Sequence, residues 1–303
     1  MSTLFSTALA ASAEAASGQH YPQGALYVVA TPIGNLADIS LRALYVLGLA
    51  DIIACEDTRH TQTLLRAYGI DKASGQLLAV HQHNESEAAQ SVIAQLRQGK
   101  RVAYASDAGT PGVSDPGARL VAAVQADGLR AVPLPGPSSV TALLSVAAVT
   151  DEHPGGFVFV GFLPTKAGER ELAVQALAEQ ARAAVLLEAP HRMEALAHAL
   201  TVLGSRRITV GRELTKQFEE IATVPADQLP AWLAQDSNRL RGEFVLTVHP
   251  AVVAAATGAD TRILKLLLEH LPLKTAVKLA ADITGEARNG LYQAALDLKQ
   301  GAV

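Results

Sequence analysis

The chain has 303 residues, 49% of them hydrophobic, and a formal net charge of −4. That length favours two domains over one core, and the apolar content excludes an intrinsically disordered protein. No apolar run reaches the 18 residues a membrane span needs, and the acidic balance argues against a protein that coats long stretches of nucleic acid.

The first 23 residues are rich in Ala and Ser and hold no Lys or Arg, the first basic residue being Arg42. A secretory signal needs a positive start, so residues 1–23 read as a disordered tail. A single cysteine, Cys55, excludes an intramolecular disulfide and fits a reducing cytoplasm. With no general base tied to it, Cys55 reads as a small buried apolar residue.

From Leu26 onward, five short apolar runs end in clusters of small, polar and charged residues. Leu26–Ala30 meets Thr31-Pro32-Ile33-Gly34-Asn35, and Asp51–Cys55 meets Glu56-Asp57-Thr58-Arg59-His60. Leu77–Val80 meets His81-Gln82-His83-Asn84-Glu85, and Val102–Ala105 meets Ser106-Asp107-Ala108-Gly109-Thr110-Pro111. Ala131-Val132 runs into Pro133-Leu134-Pro135-Gly136-Pro137-Ser138-Ser139. Helical stretches separate the runs: Leu41–Leu49 capped by Ser40, Glu87–Gln98 ended by Gly99, Gly117–Ala126, then Ser138–Ala148. This rhythm predicts a parallel α/β domain over 24–135, with the clusters at the strands' carboxyl ends, where such sheets bind ligands.

Over 136–250 the pattern predicts a second α/β domain with a mixed sheet. Its strands are Phe157–Leu163, Ala184–Glu188, Arg207–Arg212, Glu219–Thr223 and Glu243–Val248, and its helices Glu169–Gln180, Arg192–Leu203 and Leu229–Gln235. Residues 251–261 read as a linker, and 262–303 as a helical tail: Arg262–His270, Lys274–Thr284 and Arg288–Lys299. Leu273–Leu298 has the outline of a helix-turn-helix, an outline that any helical hairpin shares. The stretch 261–303 holds six Lys or Arg against four Asp or Glu.

The loop Ser106–Gly117 packs three glycines and two prolines into twelve residues, a rigid, bare backbone for a ligand to lie against. It lacks the Gly-Lys-Ser/Thr ending of a phosphate loop. Asp115 caps the next helix on the plainer reading, and Asp38 either caps a helix or lies near substrate. Ser138 and Ser139 serve equally as caps or as a polar-ligand site. Glu56–His60 is the densest set of proton-handling and anion-binding side chains. His81, His83 and Glu85 lack a further ligand cluster, so no metal is expected. Arg192, Arg212 and Lys216, each just after a strand, are candidate phosphate contacts or plain surface charges.

Together these segments resemble a known family. The first domain is similar to the tetrapyrrole-methylase class of S-adenosylmethionine (SAM) methyltransferases, two α/β domains with the cofactor in the cleft. Within it, Thr31–Ile39, Glu56–Thr61, Ser106–Gly117, Pro133–Ser139, Gly161–Pro164, His191-Arg192 and Arg212–Lys216 resemble the ribosomal RNA small subunit methyltransferase I family. The likeness runs from Leu26 into the helical tail. One departure is Ala189, where the family often has Ser, so position 189 gains no catalytic hydroxyl.

The resemblance implies methyl transfer from SAM to the ribose 2′-hydroxyl of a cytidine in the decoding region of 16S rRNA, on the assembled small subunit. It also implies a cytoplasmic homodimer. Ile33, Gly34, Asp107, Ala108, Gly109, Val113, Ser114 and Ser139 then fall to the cofactor. Glu56 or Asp57 would take the hydroxyl proton, Arg59 and His60 would hold the neighbouring phosphate, and Arg192, Arg212, Lys216, Lys274 and Lys278 would meet RNA. A tetrapyrrole or other small-molecule methylase of the same fold is the alternative. The basic tail and the 56–60 cluster favour RNA, because a macrocycle pocket would want more aromatic lining than 4% of the chain supplies.

Overall fold

A computed structural model describes residues 5–81, 85–150, 156–251, 261–285 and 288–300. The chain divides into two compact units, residues 1–250 and 251–303. Among its described residues the first unit holds two five-stranded sheets.

The first sheet contains β1 (Ala25–Val29), β2 (Ile52–Cys55), β3 (Leu77–Ala79), β4 (Val102–Ala105) and β5 (Arg130–Leu134). All pairs are parallel, in the order β3-β2-β4-β1-β5. Strand side chains alternate between faces, so both faces must be covered. Ala25, Tyr27 and Val29 pack under α2 (Leu41–Leu49) and α3 (Thr58–Ala67), while Leu26 packs against α4 (Glu85–Arg97) and α5 (Gly117–Ala126). Ser40 caps α2, its Oγ accepting the Ala43 amide at 3.1 Å, so Asp38 is left exposed and without that role.

Strands β1 and β4 lie side by side, but their chains leave toward opposite edges, β1 to β2 and β4 to β5. The loops that follow them meet. The Thr31 amide donates to the Gly109 carbonyl (2.9 Å), and the Gly109 amide donates back to Thr31 (3.0 Å). A reversal of winding direction with two facing loops is where an open α/β sheet opens a ligand crevice.

The second sheet contains β6 (Phe157–Phe162), β7 (Ala183–Glu188), β8 (Arg207–Arg212), β9 (Glu220–Pro225) and β10 (Phe244–Val248), ordered β6-β7-β10-β8-β9. Only β6 and β7 run parallel, so the sheet is mixed as expected. One face packs on α7 (Ala167–Ala178), α8 (Pro190–Leu200) and α9 (Leu229–Ala234). The other receives Val140 and Leu143 of α6 (Ser139–Val146), against Val185, Leu214 and Val245.

Two departures from the sequence reading have clear causes. Residues 1–23 are not featureless: α1 (Ser6–Ala16) lies within them, and Ala16 and Tyr21 join the core beneath α2. Phe5 packs against Tyr68 with tilted rings 5.3 Å apart, and Tyr21 against Tyr45 at 5.2 Å, so tertiary packing orders a stretch whose composition looks unstructured. Helix α3 was not expected either, since its start is the polar cluster and its exposed face is wholly polar.

Among its described residues the second unit holds three helices, α10 (Thr261–His270), α11 (Leu273–Thr284) and α12 (Arg288–Gln300), around Leu264, Val277, Ala280, Leu291 and Ala295. Gly285 ends α11 at φ 74°, the left-handed closure that glycine adopts freely. The expected linker falls almost wholly outside the described residues, as does His83. Among the described residues no helix is long and apolar enough to cross a membrane.

Candidate active site

Two cavities open between the sheets of the first unit. One, of about 340 Å³, lies within the range of small-molecule sites. The first sheet contributes Ile33, Ala108, Gly109, Thr110 and Val113, and the start of α6 contributes Ser138 and Ser139. The opposite wall is Phe162, Leu187, Glu188, Ala189, Pro190, Leu214, Glu243, Phe244 and Val245. The other cavity, of about 310 Å³, is lined by Pro32, Gly34, Leu36, His60, Thr63, Leu64, Ala67, Asp107 and Lys216. Ile33, Ala108 and Glu243 line both, so the cavities adjoin across a shared wall.

The loop 106–117 is built as its composition suggests. Asp115 accepts the Gly112 amide at 2.8 Å and the Gly117 amide at 2.7 Å, and the Tyr104 hydroxyl at 3.3 Å. It therefore folds the loop and starts α5, and Ser114 at φ 68° is held in a conformation non-glycine residues rarely adopt. Thr110 Oγ1 donates to the Pro137 carbonyl at 2.9 Å, tying this loop to the 133–138 crossover. Ser138 precedes α6 without a side-chain capping bond, which leaves the first amides of that helix open at the cavity rim.

The Glu56–His60 cluster divides by role. The Asp107 amide donates to Glu56 Oε1 (3.1 Å), and the Asp57 amide donates to Asp107 Oδ1 (3.2 Å), cross-linking the ends of β2 and β4. Burial, reinforced by the nearby Asp107 and Asp115, raises the Glu56 carboxyl above its ordinary range despite the Asp107 amide. Asp57 caps α3, accepting the Arg59 amide at 2.8 Å, and its contact with the Arg59 guanidinium lowers its pKa. His60 lines the second cavity, and the Arg59 side chain is 90% exposed. Cys55, beside them, is fully buried, which pushes its thiol up to about 11.

Of the expected RNA contacts in the first unit, only Lys216 reaches a cavity. Its Nζ donates to Glu213 (2.8 Å) and Glu243 (3.2 Å). Burial is the largest single influence on Lys216 and Glu213 and opposes their charges, but their mutual bond together with contacts to Glu243 outweighs it, raising the lysine pKa and lowering the glutamate's. Glu213 and Thr215 both sit at positive φ (50° and 67°), so this turn is strained. Gly34 permits its approach: a Cβ there would fall 2.4 Å from Lys216 Cγ and 3.1 Å from the Leu214 carbonyl. Arg192 and Arg212, expected at phosphate, turn inward instead. Arg192 lies 3.0 Å from the buried Glu188 carboxylate and donates to the Leu163 carbonyl. Arg212, 10% exposed, pairs with Glu220 and donates to the Phe218 carbonyl. Lys274 and Lys278 are exposed on α11.

Ile33, Ala108, Gly109, Val113 and Ser139 thus gather in the first cavity, Gly34 and Asp107 in the second. Ser114 lines neither and instead lies beside Gly161 of β6. The wall from the second sheet was missed. Its one sequence signal was a carboxylate at the edge of each of two apolar strands, Glu188 closing β7 and Glu243 just before β10. Among the described residues no three of His, Cys, Asp or Glu are grouped to hold a metal.

Residues 25–230 match the family described as Tetrapyrrole (Corrin/Porphyrin) Methylases, and residues 254–299 match the RsmI C-terminal HTH domain. A relative from Pseudomonas aeruginosa, "Ribosomal RNA small subunit methyltransferase I", is 47% identical over 92% of this chain and 98% of its own. The chain belongs to the ribosomal RNA small subunit methyltransferase I family. A relative of the same name from Escherichia coli O157:H7 is 44% identical over 91% of this chain and 96% of its own. In fold, the chain is similar to a cobalt precorrin-4 methyltransferase involved in cobalamin biosynthesis (TM-score 0.56, 17% identity, 76% of this chain and 98% of that one). It is also similar to the uroporphyrin-III C-methyltransferase of Thermus thermophilus complexed with S-adenosylhomocysteine (TM-score 0.51, 17% identity, 76% and 99%). The chain is therefore a methyltransferase of the tetrapyrrole-methylase fold, and SAM is its methyl donor.

The first cavity suits that donor on its own chemistry. It combines an apolar wall for a flat ring, serines and open helix amides for a polar tail, and a buried carboxylate oxygen, Glu188 Oε2, that no group among the described residues satisfies.

Proposed function

We propose that the protein methylates the ribose 2′-hydroxyl of a cytidine in the decoding region of 16S rRNA, acting in the cytoplasm on the assembled small subunit. The observation that carries the reading is the pair of adjoining cavities. One has the lining of a cofactor site, and its neighbour presents His60, Asp107 and Lys216, groups suited to a ribose and its phosphate. The names of relatives that align over nine-tenths of the chain support RNA as acceptor over a tetrapyrrole.

The first cavity, with Ile33, Ala108, Gly109, Val113 and Ser139, would hold SAM, which supplies an electrophilic methyl. Transfer is an in-line displacement, so aligning hydroxyl, methyl and sulfur across the shared wall of Ile33, Ala108 and Glu243 supplies much of the acceleration. A neutral ribose hydroxyl is a weak nucleophile, and its proton would pass to the Glu56–Asp107 pair, of which Asp107 lines the second cavity. The raised Glu56 pKa brings that carboxyl nearer the working pH of a general base. Asp57 positions this group by capping α3 and fixing His60. Lys216 in the second cavity and the exposed Arg59 of α3 would meet phosphate, and Lys274 and Lys278 of the helical unit would also meet RNA. Shape and a few local contacts would locate the site for an acidic protein.

A homodimer is part of the same reading. It is supported by the exposed edge strand β6, where Phe157, Phe159, Val160 and Phe162 face solvent, a long apolar edge that proteins normally cover. The deciding experiment offers labelled SAM with intact small subunits, free rRNA or a tetrapyrrole. Label in a cytidine 2′-O-methyl of subunit RNA is expected, and label in the tetrapyrrole alone would overturn the reading.

A further inference from the structure

Glu188 ends β7 with its side chain fully buried, and the residue lines the first cavity. Its Oε1 accepts the Ala189 amide at 2.9 Å, and Arg192 Nε, 3.0 Å away, balances its charge without hydrogen-bonding to it. Its Oε2 is equally buried and has no hydrogen-bond partner among the described residues. A dehydrated carboxylate oxygen left unpaired is costly, so it marks a place where a donor is missing.

Two observations say what kind of donor. Arg192 already balances the Glu188 charge, so a second cation would be in excess and a neutral N–H suits the site better. The surroundings are Phe162, Leu187, Pro190, Leu214, Phe244 and Val245, apolar walls fit for a flat ring. We propose that Glu188 reads the purine of the cofactor, Oε2 accepting the exocyclic amine of adenine. Glu188 is then a specificity residue, and Arg192 positions it by holding the other oxygen. The assignment rests on the first cavity being the SAM site.

Glu188→Gln tests it sharply. The Ala189 amide donates to this position and the Arg192 cation lies beside it, so together they would keep the carboxamide oxygen and turn its NH₂ toward the ring, replacing an acceptor by a donor. Calorimetry would compare S-adenosylhomocysteine with S-inosylhomocysteine, whose ring carries an oxygen in place of the amine. The native protein should prefer the adenosyl compound at least tenfold, and Glu188→Gln should abolish or reverse that preference. An unchanged preference, or an equal loss for both compounds, overturns the proposal. So does a loss confined to S-adenosylhomocysteine while 5′-methylthioadenosine binds as before, since the contact would then be to the ammonium. If the native protein binds none of the three, the cofactor reading itself fails. Should Glu188→Gln not fold, Glu188→Asp serves: the shortened carboxylate should weaken adenosyl binding while leaving inosyl binding unchanged, and equal effects would overturn the assignment.

Discussion

The two sheets of the first unit face the same cleft but supply it differently. The parallel sheet delivers its residues in contiguous loops, 31–38 and 106–117, because every strand points its carboxyl end at the ligand. The mixed sheet cannot do this. Its wall comes from the end of β7, the turn after β8 and the start of β10, since antiparallel neighbours bring opposite ends to one rim. Loop-borne chemistry therefore concentrates on one side, and side chains that shape the cavity on the other.

If that division holds, the largest losses of turnover come from the first sheet. Glu56→Gln should lower the methylation rate by about 100-fold or more, with S-adenosylhomocysteine affinity within a few-fold of native. Asp107→Asn should behave alike, because Asp107 lines the acceptor cavity. Loss of cofactor binding in Asp107→Asn, read by calorimetry, would return that residue to the cofactor side. The contact between the sheets is a weaker lever. Gly34→Ala would press a methyl on Lys216 and the Leu214 carbonyl, and it should raise the KM for small subunits about tenfold while the melting temperature moves little. Smaller still is the helical unit's share. Lys274→Ala with Lys278→Ala should weaken RNA binding and reduce its logarithmic salt slope by about 2, seen in filter binding across a salt series.

Acid should also separate the two halves. Burial and the nearby Arg206 and Arg207 lower His249 to about 4, and its Nε2 lies 2.8 Å from Thr209 Oγ1. The unfolded chain takes up this proton near pH 6.5, where the native state refuses it. Stability tied to His249 is thus complete above that pH and is lost as pH falls toward 4. Glu56, with its pKa raised, works in the opposite sense: it favours the folded state in acid and loses that contribution as pH rises through its folded value. Thermal unfolding between pH 7 and 5 should show falling stability in the native protein and a flatter profile in His249→Gln.

Much of this was legible in the sequence, for reasons that lie in particular residues. Short apolar runs ending in Gly, Pro and Asp give away parallel strands and their loops, so the 106–117 and 31–38 segments could be placed on the cleft. Helix α1 could not, because its alanines become a core only when Tyr21, Phe5 and Tyr68 converge. Arg192 and Arg212 look like phosphate ligands in a linear reading. Only the fold reveals that Glu188 and Glu220 hold them from within. Phe244 and Val245 are ordinary strand residues until the sheet order sets them opposite Ala108 and Gly109.

Cys55 has a practical consequence. It is the chain's single thiol, buried at the end of β2 and carried well above physiological pH in its ionisation. Maleimide chemistry should therefore pass the native protein by. A cysteine introduced at an open position, such as Phe218→Cys beside the strained 213–216 turn, would then be the sole reporter in the molecule. A fluorophore there could follow the cleft through a catalytic cycle without a cysteine-free background having to be made first.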